Sequence, residues 1–198
     1  FSKKYTDSVW FRRMNDSIQL LQNRAVDSVF EDFSATESEI ISFYQHLKYY
    51  NKAFKTPRLI TVLSDVDYRN KVIITDSIVL ISLDTYLGEE HEFYESFYDY
   101  IKQNLNKDQI VSDLATSYAE QLIYQPTRST FLEEMIYFGK QLYLKDLWIP
   151  FKDNNEKIGY LPAQYQWAED NEFYIWQYFV EKELLYDTDR KLLSRFKI

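Results

Sequence analysis

A chain of 198 residues with 31 acidic and 23 basic side chains, a net charge of -8 and no cysteine excludes disulfides, thiolate nucleophiles and Cys-based zinc clusters. Its charge also opposes non-specific attraction to nucleic acid and to anionic lipid headgroups. The 18 Tyr, 14 Phe and 4 Trp set against 3 Gly and 4 Pro exclude a disordered tail, a collagen-like repeat and a turn-rich small barrel. What they favour is a mainly helical globule with a thick aromatic core. In chain order, Asp16 is the expected N-cap of a helix carrying Ile18, Leu21, Ala25 and Val29 along one flank. Thr36 and Glu39 read as a capping box, followed by Ile40, Phe43, Tyr44 and Leu47 at helical spacing. Pro57 closes this second helix.

The pattern then turns β-branched. Leu59 to Leu63, Val72 to Thr75 and Ile78 to Leu83 predict three strands of a small antiparallel sheet, with Asp76-Ser77 as the turn between the last two. Beyond Gly88, the stretch from Phe93 to Leu105 is expected to be helical, and Asp108 to Tyr124 carries Ile110, Leu114, Tyr118 and Leu122 every four residues before Pro126. Thr130 and Glu133 form another capping-box pattern; the helix they open is expected to bury Leu132, Met135, Ile136, Gly139 and Tyr143. Gly139 predicts a second backbone packed close to it. Pro150, Lys152 to Lys157 and Gly159 read as a surface loop, Pro162 as the first turn of a helix running with a bend through Asn171 to Tyr186, and Thr188 as the cap of a final helix. No repeat or linker interrupts the chain. One domain over 1–198 is expected, with a helical N-terminal part (1–57), a sheet (58–87) and a helical C-terminal part (88–198).

No run approaches the roughly 18 apolar residues of a membrane span. Because the sequence opens at Phe1, an upstream segment carrying any signal peptide or lipid anchor is expected to lie outside it.

Two constellations bear on chemistry. His91-Glu92-Phe93-Tyr94-Glu95 stands near the zinc-peptidase pattern HExxH, in which two histidines one helical turn apart bind zinc and the Glu between them activates a water, but its second histidine is Glu95. Glu133-Glu134-Met135-Ile136-Tyr137 lies deeper in a helix that follows a sheet. Overlaid on HExxH, Glu134 takes the place of the general base while Glu133 and Tyr137 replace the ligands, and Asn171-Glu172 matches the NE pair that supplies a third, carboxylate ligand in one class of zinc peptidase. Tyr137 is a poor ligand, since a phenol is neutral at pH 7. The other reading of the same residues is an amphipathic helix whose Glu133 closes the capping box and whose Glu134 faces solvent. His46 and His91 are the only histidines, and three isolated glycines build no phosphate loop. No metal and no cofactor are expected.

The stretches Ile81-Ser82-Leu83-Asp84-Thr85-Tyr86-Leu87-Gly88, Met135-Ile136-Tyr137-Phe138-Gly139-Lys140 and Ile158-Gly159-Tyr160 belong together with a block from Trp167 through Asn171-Glu172, Trp176, Tyr178, Thr188-Asp189 and Arg195-Phe196. In order and spacing this set resembles the gliding-motility lipoprotein GldB family of Bacteroidetes, over roughly residues 58 to 196. The resemblance implies a protein lipid-anchored on the periplasmic side of the envelope, its acylated cysteine upstream of Phe1, associated with the gliding and protein-secretion apparatus. It also implies a distant likeness to zinc peptidases. The resulting expectation is an α+β, mostly helical, zincin-like domain whose metal has been lost and whose Glu133, Glu134, Tyr137 and Glu172 are vestigial. Such a domain would act as a scaffold by binding envelope proteins through Trp167, Tyr174, Trp176 and Tyr178. The competing expectation is a metal-dependent peptidase with an oxygen-rich site around Glu134 and Glu172, with His91 as a further ligand.

Overall fold

The structure is a computed structural model that describes residues 7–125, 130–189 and 191. Helix α1 (Asp7–Met14) leads into α2 (Ser17–Val29), which starts where Asp16 places it: the Asp16 carboxylate accepts the N–H groups of Ile18 (2.9 Å) and Gln19 (3.4 Å). Helix α3 (Ser34–Tyr50) begins earlier than the capping box at Thr36 predicts. Asp32 accepts the Ser34 N–H at 2.9 Å, which leaves Thr36 buried in the first turn and frees Glu39 to pair with Lys152 at 3.0 Å. The helix turns Ile40, Phe43, Tyr44 and Leu47 inward.

Strands β1 (Arg58–Val62), β2 (Val72–Ile74) and β3 (Ile78–Ser82) form a sheet in the order β1-β3-β2. The β2–β3 hairpin is antiparallel as expected, and its turn does without glycine because Thr75 closes it: the Thr75 hydroxyl donates to the Ile78 carbonyl (2.8 Å) and accepts the Ile78 N–H (3.1 Å). The expectation of a wholly antiparallel sheet fails at β1, which pairs parallel to β3. With β2 holding one side of β3, β1 takes the other by way of residues 63–71, and β3 becomes the buried centre with Val79 and Ile81 fully enclosed.

The stretch from Phe93 to Leu105 is also not one helix. It makes a single 3₁₀ turn (Glu92–Tyr94) and the short α4 (Asp99–Lys102). A continuous helix would carry Leu105 about 18 Å from Phe93, whereas here the Gly88 N–H reaches back to the Leu105 carbonyl at 2.8 Å and the buried Tyr94 hydroxyl bridges the Leu87 N–H and the Asp84 carbonyl. Helices α5 (Ile110–Leu122) and α6 (Phe131–Trp148) then pack on each other and on α3. Phe43 of α3 lies against Tyr118 and Trp148 at the centre of the core.

The expected surface loop after Pro150 is in fact α7 (Asn154–Ile158), capped reciprocally by Asp153 and Glu156 and ended by Gly159 at φ +81°. Its Lys157, like Lys152 before it, is buried, because Lys157 reaches Asp146 at 2.9 Å and Lys152 lies between Glu39 and Glu156. Pro162 opens α8 (Pro162–Asp170), and after a break at Asn171 comes α9 (Glu172–Glu181). The stop expected at Pro126 lies outside the described residues, as does most of the final helix expected after Thr188. The architecture is α+β and mostly helical, with one small mixed sheet.

Candidate functional site

Helix α6 turns the face opposite to the one its apolar residues predict. Ile136, Gly139 and Tyr143 are exposed and Leu132 and Met135 half-exposed, while Phe131, Glu134, Tyr137, Gln141, Lys145 and Trp148 point inward. At Lys145 this polar stripe is tolerated because α5 and α7 supply partners. The Lys145 ammonium donates to the Ser112 hydroxyl (3.1 Å) and to the Lys157 carbonyl, and Ser112 donates onward to the Glu156 carbonyl at 3.0 Å. Burial pushes Lys145 down to about 8, with neighbouring Lys71 adding to the effect and Asp113 and Glu120 opposing it. Asp113 holds Lys71 as an ion pair and accepts the Tyr86 hydroxyl at 2.9 Å. Tyr86, enclosed on every side, is raised well above the ordinary phenol range by that burial and by Asp113. At the other end of the stripe, desolvation raises Tyr137, with Glu120 and Glu134 adding to it, and Glu120 is itself raised by desolvation.

Glu133 closes the capping box as its structural reading predicts: the Thr130 N–H donates to its carboxylate (2.8 Å) and its own N–H donates to the Thr130 hydroxyl (3.2 Å). Glu134 does not face solvent as the amphipathic-helix reading has it; it is buried beside Tyr137. Glu172 stands exposed in the first turn of α9. His91 caps the 3₁₀ turn, its Nδ1 accepting the Phe93 N–H at 3.3 Å, and His46 lies 2.8 Å from the Ser42 carbonyl on α3. Among the described residues no three His, Cys, Asp or Glu side chains come together as a metal-holding group.

The aromatic set lies elsewhere. Trp167 is 62% exposed, Tyr174 66%, Trp176 44% and Tyr178 52%, and neither α8 nor α9 buries a single residue. The arm is pinned at its far end, where Phe179 meets the Phe131 ring edge-on at 4.9 Å and the Phe131 N–H donates to the Asp187 carbonyl at 3.0 Å. With rings on several sides of a ten-residue helix, no single inward face can take them all. Area and polar tips are what such a surface offers to a protein partner.

A family model described as gliding motility protein GldB matches residues 1–197. The chain belongs to the GldB family. Comparison with curated proteins and with solved structures gave no match. Membership makes this GldB chain a gliding-motility-associated lipoprotein and ties it to the envelope; none of its described helices is long and apolar enough to cross a membrane.

Within this GldB protein, sequence reasoning passed over two residues. Asp84 sits fully buried just after β3 and accepts the N–H groups of Ser64 (3.0 Å) and Val66 (2.7 Å). It thereby holds a loop in which Asp65 and Val66 take φ of +57° and +59°, a conformation that strains a β-branched residue. The signal was present, since Asp84 is the one charge between Ile78 and Gly88. Lys145 was equally readable, because Glu134, Tyr137, Gln141 and Lys145 recur at steps of three and four and so share a helix face.

Proposed function

We propose that this GldB protein is a non-catalytic scaffold on the periplasmic side of the envelope that docks other proteins of the gliding or associated secretion machinery through its α8–α9 arm. The observation that carries this is α9, seven of whose ten residues are apolar or aromatic while none is buried. Leaving Phe173, Tyr174, Trp176, Tyr178 and Val180 in water is unfavourable, and contiguous apolar surface of this kind is ordinarily covered by a partner. Trp167, Trp176 and Tyr178 are the expected anchors, because large rings with few torsions give much contact area for little ordering entropy.

Descent from a zinc-peptidase scaffold belongs to the same proposal and rests on α6 alone, a long helix after a sheet with Glu134 and Tyr137 on its inner side. The experiment is site-specific photo-crosslinking in living cells, with the photoreactive residue placed at Tyr174 or Trp176 and, as a control, at exposed Tyr143. Crosslinks to envelope proteins of the apparatus are expected from the arm and not from Tyr143. Trp167→Ala with Trp176→Ala should abolish gliding or secretion at unchanged protein level. Equal labelling from all three positions overturns the proposal, as does stoichiometric bound zinc with peptide turnover that Glu134→Gln abolishes.

A further inference from the structure

Among the described residues strand β1 is paired along one side only. Its partner there is β3, and in the parallel register that pairs Arg58 with Ile78 the Arg58 N–H donates to the Ser77 carbonyl at 2.9 Å. Alternation then directs the N–H and C=O groups of Arg58, Ile60 and Val62 to β3 and those of Leu59 and Thr61 outward. Among the described residues no hydrogen bond covers the outward set. Thr61 is exposed and lines a groove of about 630 Å³ at the carboxyl end of the strand. Val26, Phe30, Phe33, Val62 and Leu83 give it apolar wall beside polar Asn23 and Thr61, and exposed Asp27 and Glu31 also line it, with no cationic partner among the described residues.

We infer that β1 and this groove bind an extended segment of a partner protein, apolar at alternate positions and carrying Lys or Arg between them. The outward N–H and C=O groups ask for a strand, because a helix satisfies its own backbone and leaves theirs bare. The walls ask for apolar side chains on one side of that strand. Asp27 and Glu31, on a chain of net charge -8, ask for cations. A second copy of this chain is disfavoured by the net charge of -8 that both copies would carry.

The test uses the full chain and three labelled synthetic peptides followed by fluorescence anisotropy at low salt: (Lys-Val)4, (Glu-Val)4, and (Lys-Val)4 with proline at its centre. Saturable binding of the first is expected, weakened about tenfold by the proline, which removes a donor, and about tenfold by Asp27→Asn with Glu31→Gln. At saturation the Thr61 amide should exchange at least tenfold more slowly with solvent. Absence of saturable binding overturns the inference, as does equal binding of (Glu-Val)4, insensitivity to the double substitution, or unaltered Thr61 exchange. Thr61 protection that grows with protein concentration and without peptide assigns the edge to a second copy instead. None of these readouts involves α8 or α9, so this inference and the proposed function fail separately.

Discussion

Lys145 stands in the last turn of α6 on its inner face, where helical period alone would put a leucine, and its burial makes its charge a matter of pH. Its folded-state value of about 8 lies below the ordinary lysine value of 10.5. Between those values the unfolded chain holds more protons than the folded one, so stability contributed at this residue rises with pH across that window. Below about pH 8 both states are charged and the full cost of burying the ammonium applies. In urea unfolding from pH 7.5 to 9.5, the difference between wild type and Lys145→Met should therefore move in favour of wild type above pH 8, on the order of 1 kcal/mol per pH unit. The raised tyrosines, Tyr86 among them, are common to both proteins and cancel. A difference that stays flat would mean that water reaches the ammonium.

At the scale of elements, the signals that held are those that act within a turn of chain. Asp16, the Thr130–Glu133 capping box and Pro162 mark helix starts correctly, since Asp16 and Thr130 accept N–H groups two or three residues on and Pro162 has no N–H of its own to leave bare. Gly139 was misread: a methyl group built there meets no atom within 4 Å, so no second backbone approaches it. Gly139→Ala should accordingly raise stability by about 0.5–1 kcal/mol through better helix propensity. Gly159→Ala should lower it by about 1 kcal/mol or more, because Gly159 takes φ +81° and the Asn104 side chain lies 3.1 Å from the added carbon. Thermal melting of the two variants checks both signs at once. The inner face of α6 was misread for a related reason: apolar count alone points to Ile136 and Tyr143, and only the Ser112 hydroxyl and the Lys157 carbonyl make the Lys145 side the inner one.

For the molecule as a whole, burial is unevenly distributed. Helix α5 places seven residues in the core, whereas α8 and α9 place none. Native-state hydrogen exchange should therefore show residues 110–122 opening only with global unfolding and residues 162–181 opening at far lower free energy. Equal protection would mean that the arm is fastened more firmly than its contacts with Phe131, Asn154 and Gln103 imply. The same unevenness separates what each level of description decided. Composition, caps and helical period established by themselves a mostly helical α+β chain, the starts of α2, α6 and α8, its strand positions and its aromatic excess, because these depend on groups within about one turn of each other. Tertiary structure alone decided that β1 lies parallel to β3, that a lysine and a glutamate share the inner side of α6, that Glu133, Glu134 and Glu172 have separate surroundings, and that the α9 rings stay in water. Each of those outcomes depends on what stands opposite in space, and the separation of 33 positions between Ser112 and Lys145 leaves no local trace of their meeting.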